Sequence, residues 1–390
     1  MDGANGYTNR PQTYDFDRWY STIQKYEGKG AVNSVTGETY TSDCMLFGAG
    51  TKTTVRWIGN EDGFADDTTW AKSIVRDGQI YNDPSQNEGD YKGDARDGFS
   101  NGYEEGNQWT VPEADARITS GWFWGNAKKS PRTLAQLSEM YFRSVGHNAT
   151  LLLNVPPNNQ GTIDDAILER VKEFGDNIQK TFQTNLAAAS GTTVEASNVR
   201  GNDVDFKPGN TVDGDDATYW TTEDGTKEGS ITVKWKSAKK FDVVSIEEAI
   251  QNGQRINSYK VEYKANDNAD WQTMGSGETV GAKRLIRTSP VSATQVRITV
   301  GTSEGKVPML SEIGIYKASE GFQLSGTAPE GMDTTSVNDT SKFNFDSSGW
   351  HAQTGTQYIN GQNTYSDKAD ASFTYTFNGT KVYLMGTKDP

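Results

Sequence analysis

The stretch SPRTLAQLSEMYFRSVGHNATLLLNVPP, residues 130–157, sets a helix directly before a strand. Ser130 reads as an N-cap with Pro131 at the first helical position, and Leu134, Leu137, Met140 and Tyr141 fall on one stripe, the spacing of an amphipathic helix. The run ATLLLNVPP (149–157) is short, apolar and closed by Pro-Pro, as in a buried strand that ends in a loop. A second helix is expected over 162–182, capped by Thr162, with Asp164 and Asp165 in its first turn, where the helix dipole favours negative charge. Upstream, TVRWI (54–58) is another short strand. Helix-like stretches mixed with short strands make residues 1–182 an α/β region.

The character changes near residue 185. From there to 317, SITVKW, SYKVEYK and QVRITV alternate with period two and are separated by Gly, Asn and Asp clusters, which predicts a β-sandwich. Residues 318–339 read as a polar linker. Residues 340–390 read as the start of a further accessory β domain, with SFTYTFNGTKVYLMG (372–386) as paired strands.

A chain of 390 residues is long enough for two or three domains. Its 52 acidic against 38 basic side chains leave a net charge of -14, which excludes a nucleic-acid footprint because the surface repels phosphate. Cys44 is the single cysteine, so no intramolecular disulfide framework exists. No apolar run approaches the about 20 residues a membrane-spanning helix needs. The 10 Trp, 17 Tyr and 41 Gly suit turn-rich β-structure with aromatic surfaces.

Two carboxylates stand out by their setting. Asp2 lies in MDGANG (1–6), and Glu61 follows a strand carrying Trp57 in VRWIGNEDG (55–63). In an α/β barrel, residues at C-terminal strand ends project into the active site, and paired carboxylates are what glycoside hydrolysis requires. With 52 acidic residues, spacing alone admits many other pairs.

DGANG, VRWIGNEDG, WTVPEADARITSGWFW (109–124) and LSEMYFRSVGHNATLLLNVPPNNQGTI (137–163), in this order, closely resemble the second half of family 29 glycoside hydrolases, the retaining α-L-fucosidases. The WIGNE form resembles the subgroup that prefers α-1,3/1,4-linked fucose. The resemblance implies that residues 1–182 are the C-terminal part of a TIM-like α/β barrel whose first strands lie upstream. It implies Asp2 as nucleophile and Glu61 as general acid/base, about 5 to 5.5 Å apart. Arg56, Trp57, Asn60, Glu113, Trp122 and Trp124 are the accompanying candidates for sugar contact. The alternative for the tryptophans is core packing, and for Arg56 and Glu113 an internal ion pair. His147 reads as structural, and two histidines cannot supply a metal triad.

Residues 185–317 resemble a discoidin, or factor 5/8 C-type, jelly roll akin to family 32 carbohydrate-binding modules, through NTVDGDDATYW (210–220) and PMLSEIGIY (308–316) among other pieces. The DGDDAT loop groups carboxylates and a hydroxyl as a hard cation needs. The resemblance implies a structural Ca²⁺ held by Asp213, Asp216, Thr218 and Glu312, with no cofactor for catalysis. A fucosylated glycan substrate and an extracellular or cell-surface, bacterial setting are expected from the resemblance to the fucosidases. The rival expectation is a carbohydrate-binding protein acting through the discoidin-like domain alone.

Overall fold

A computed structural model describes residues 15, 18–19, 21–22, 31–32, 39–40, 54–76, 79–81, 101–126 and 130–324, with short pieces between 343 and 376. Asp2 lies outside the described residues. The chain divides into two compact units, Met1–Phe322 and Gln323–Pro390. The second unit holds two antiparallel strand pairs, Phe343–Phe345 with Phe373–Tyr375 and Trp350–Thr354 with Gln362–Ser366. The Phe345 and Trp350 rings lie 4.8 Å apart. Among the described residues no helix is long and apolar enough to cross a membrane.

In the first unit, β1 (Val55–Trp57), β2 (Val111–Arg117) and β3 (Thr150–Asn154) form a parallel sheet in that order. Parallel pairing carries all three C-terminal ends to one edge, the arrangement expected of a barrel segment. In β2, Pro112, Ala114 and Ala116 are buried while Glu113, Asp115 and Arg117 alternate with them. Period-two alternation thus gives the sheet one small, apolar face and one charged face.

Two helices cover the apolar face. In α1 (Leu134–Arg143) Thr133 is the cap, not Ser130: Gln136 N–H donates to Thr133 Oγ1 and Thr133 N–H to Gln136 Oε1, a reciprocal capping box. In α2 (Asp165–Phe182) the cap is Asp164 in place of Thr162. Thr162 instead donates its N–H and Oγ1–H to Asn158 Oδ1, closing the preceding loop. Ala116, Leu137, Met140, Phe142, Ile167 and Phe174 form the core between helices and sheet, with Leu151 and Leu153 packed against it.

The expected sandwich is present. It comprises β4 (Thr193–Ala196), β5 (Trp220–Thr221), β6 (Glu228–Glu248), β7 (Ile256–Lys264), β8 (Gln272–Gly277), β9 (Arg284–Thr302) and β10 (Met309–Tyr316), all paired antiparallel. The β6–β9 ladder breaks register between Lys234 and Lys239. The first half of β6 pairs with β4 and the second half with β10, so Ile231 and Val233 meet Val244 and Ile246 across one core.

No linker separates the two regions in packing. Val243, Leu285 and Tyr316 point out of the sandwich into the helical core, while their neighbours Val244, Ile286 and Ile315 point into the sandwich. The polar stretch expected from 318 also begins later: Ala318 is buried, and Glu320–Phe322 makes a 3-10 turn that seats the fully buried Phe322 among Tyr141, Phe142 and Phe174. Burying a phenylalanine contributes about 2 to 3 kcal/mol, which holds residues 318–322 to the first unit.

Candidate active site

The charged face of the parallel sheet carries the candidate site, and its three C-terminal edges are tied to one another. Glu61, exposed in the loop after β1, accepts a hydrogen bond from Trp122 Nε1 at 2.9 Å. Trp122 belongs to the loop after β2, and its main-chain carbonyl accepts from Asn154 Nδ2, at the end of β3, at 2.9 Å. The Arg117 guanidinium lies 5.4 Å from the centre of the Trp122 ring, within cation–π range.

Beside this chain of contacts, Trp57 donates its indole N–H to Asp115 Oδ1 at 2.7 Å and to the Asn60 carbonyl at 3.0 Å. Burial raises the Asp115 carboxyl above its ordinary range and the nearby Glu61 adds to this, although the Trp57 hydrogen bond opposes it. Burial likewise raises Glu113, with the Asp115 charge adding to it. Three carboxyl groups thus share a half-open face beside two indoles. Such a face can pass protons and stack an apolar sugar edge.

The sequence expectations divide here. Glu61, Trp57, Glu113 and Trp122 are brought together. Asn60 shapes the loop instead: its Nδ2 donates to Phe64 O and its Oδ1 accepts from Asp62 N–H. Trp124 donates to Asp164 Oδ2 at 2.8 Å, bracing the start of α2. Arg56 is the correction. Strand alternation turns it to the opposite face from Trp57, where it is 1% exposed and its Nη1 and Nη2 donate to the carbonyls of Thr110 and Trp70. Asp115, Arg117 and Asn154 were not singled out; the signal for the first two was the acid-small-acid-small-base alternation of EADAR (113–117).

In the sandwich, Glu312 Oε1 accepts the Gly214 N–H at 2.7 Å, at the residue after Asp213. Burial and the Asp213 and Glu247 charges push Glu312 up to about 7, against the Gly214 N–H that it accepts. Thr218 Oγ1 donates to Asp213 Oδ2 at 2.9 Å. A hard cation takes about six to eight oxygen ligands, of which Asp213 and Glu312 would supply carboxylates. Asp216 presents its carbonyl to Gln251 Nε2. Among the described residues no group of three or more His, Cys, Asp or Glu side chains gathers in metal-holding geometry.

Comparison with known proteins agrees with both halves. The alpha-L-fucosidase family model matches residues 36–181, and the F5/8 type C domain model matches residues 192–313. The chain carries an alpha-L-fucosidase domain followed by an F5/8 type C domain. A GH29 fucosidase of Ruminococcus gnavus, solved in complex with fucose, superimposes with a TM-score of 0.73 at 56% identity, covering 83% of this chain and 61% of that one. Alpha-L-fucosidase 1 of Arabidopsis thaliana is 32% identical over 321 residues, 81% of this chain and 57% of its own length. The chain therefore spans less than two thirds of these relatives. Among the described residues of the fucosidase domain, the Glu61–Trp122–Asn154 edge gathers polar groups at the C-terminal ends of the parallel strands.

Proposed function

We propose that this chain is part of a retaining exo-α-L-fucosidase that removes terminal α-1,3/1,4-linked fucose from glycans at or outside the cell surface of a bacterium. The observation that carries this reading is Glu61, exposed at the strand-end edge of an alpha-L-fucosidase domain and oriented by Trp122. In this mechanism Asp2 attacks the anomeric carbon while Glu61 gives its proton to the leaving oxygen. Glu61 then takes a proton from water, which displaces Asp2 and releases fucose. Trp57 and Trp122 offer aromatic faces to the sugar, and Asp115 holds the Trp57 ring in place.

The test uses the natural full-length polypeptide with aryl fucosides and a Lewis-type trisaccharide. The expected results are release of fucose with retained anomeric configuration, loss of turnover in Asp2→Asn, and recovery of Glu61→Ala by azide. Absence of fucose release overturns the assignment, and wild-type kinetics in Glu61→Ala remove Glu61 from its role.

For the F5/8 type C domain the proposal is a structural Ca²⁺ held by Asp213, Asp216, Thr218 and Glu312. Added Ca²⁺ is expected to raise the melting midpoint of the wild type and not that of Asp213→Asn. An equal response in both proteins eliminates the site.

A further inference from the structure

The loop bearing Glu61 is short and fixed at both feet. On the upstream side Ile58 N–H donates to Glu113 O in β2. On the downstream side Ala65 N–H donates to Arg143 O, and His147 Nδ1 lies 3.1 Å from both the Ala65 and Asp66 carbonyls. Residues 59–64 span these anchors, braced within by the bonds of Trp57 to Asn60 O and of Asn60 to Phe64 O. Gly63 (φ 77°) lets the loop lie against the sheet, because a Cβ there would meet Ala116 Cβ at 2.9 Å.

The residues that follow the downstream foot are held largely by the other domain. The Thr69 N–H donates to Thr279 Oγ1 and the Ala71 N–H to Gln254 Oε1, while Gln254 Nε2 returns a bond to Thr69 O. Arg284 Nη2 donates to Asp67 O at 2.7 Å, and Thr68 Oγ1 donates to Glu278 Oε2 at 2.6 Å. Residues 67–71 are thus bonded at nearly every position by side chains of the sandwich, most of them buried.

Asn148 joins the parts. It is 5% exposed and holds a φ of 64°, a left-handed conformation that costs a non-glycine residue energy unless its surroundings enforce it. Its Nδ2 donates to Thr69 O and Gln254 Oε1, its Oδ1 accepts from Ala282 N–H, and its own N–H donates to Lys283 O. The turn it grips is fixed by Glu248, whose carboxylate accepts the Gly281 N–H. Gly281 itself has φ 68°, and a Cβ there would sit 2.1 Å from the Asn148 side chain. So much buried, mutually satisfied polarity between two domains costs more to misplace than apolar contact does, since any slip leaves unpaired groups.

We infer that Asn148 and Gln254 are positioning residues for Glu61, and that the F5/8 type C domain works as the rear clamp of the proton-donor loop. The inference rests on the reading of Glu61 as general acid. Loosening the clamp lets residues 59–64 sample other placements, and proton delivery to the leaving oxygen fails first. That failure is costly for a poor leaving group and nearly silent for one that departs without a proton.

The experiment compares wild type with Asn148→Gly, which keeps the left-handed backbone open but removes the bridge, and with Thr279→Val, which removes one hydroxyl. Each is made in the natural full-length polypeptide. The expected kinetic result is a loss of about tenfold or more in kcat/KM on a fucosyl disaccharide, with change within about threefold on 2-chloro-4-nitrophenyl fucoside. The same variants are expected to speed amide hydrogen exchange over residues 58–71 without changing it over 256–264. Unchanged exchange at 58–71 overturns the clamp, as do equal losses on both substrates when Glu61→Gln shows the leaving-group difference. A Glu61→Gln protein that treats both substrates alike overturns the general-acid reading instead.

Discussion

Trp122 donates its indole N–H to Glu61 Oε2 across 2.9 Å, linking the loop after one parallel strand to the loop after its neighbour. The bond is charge-assisted when Glu61 is ionised and worth about 1.5 kcal/mol or more. Trp122→Phe keeps a ring beneath Arg117 but removes the donor. Steady-state kinetics on a fucosyl disaccharide are expected to show kcat/KM lower by about tenfold; an unchanged value would mean that the bond orients nothing.

Arg56 separates stability from binding. Its guanidinium is the donor that the Thr110 and Trp70 carbonyls use in the interior, so Arg56→Leu leaves buried acceptors unpaired at a cost of about 3 kcal/mol. Denaturant unfolding should show this loss, while KM of the folded fraction stays at the wild-type value. A raised KM with intact stability would return Arg56 to the sugar site.

Glu248 gives the protein a pH signature. Complete burial pushes its carboxyl up to about 7, although Gly281, Arg255 and Ile256 N–H groups all donate to it. Between about 4.5 and 7 the folded state keeps a proton that the unfolded chain has released. Its contribution to stability is therefore full below about 4.5 and lost as pH rises through about 7, a change of roughly 3 kcal/mol. Melting midpoints measured from pH 4.5 to 8 should fall less steeply in Glu248→Gln than in wild type; parallel slopes would show that the group does not titrate there.

Phe322 tests where the first unit ends. Fully buried among three aromatic rings, it should cost about 3 to 5 kcal/mol when truncated to alanine. Calorimetry of Phe322→Ala should show a lower midpoint. An unshifted midpoint would return residues 318–322 to the linker that their polar surroundings suggested.

Much of the architecture was legible because it is written in local patterns. The stripe Leu137, Met140, Tyr141 announces α1, and the period-two runs announce the sandwich. Helix caps were misplaced by two or three residues because Ser130, Thr133 and Thr162 are all competent caps, and only tertiary partners choose among them. The place of Glu61 after a short strand is legible from its motif, but the grouping with Asp115 and Asn154 is not, since a carboxylate or amide acquires neighbours only when parallel pairing sets strand ends side by side. Between sugar contact and an internal role for Arg56 the sequence does not choose, because a three-residue strand shows no period that tells which face looks inward. Phe322 was hidden for a related reason, being a single aromatic at the start of a polar stretch whose destination lies in a distant core.

Val243 and Val244, adjacent in β6, face two different cores. A wall shared in this way cannot be cut from one side without opening the other. The F5/8 type C domain here is consequently not an exchangeable cassette. Recombination that replaced it with a homologous sandwich would have to import the outward row of Val243, Leu285 and Tyr316 as well, so the two domains are expected to diversify together, as one inherited block.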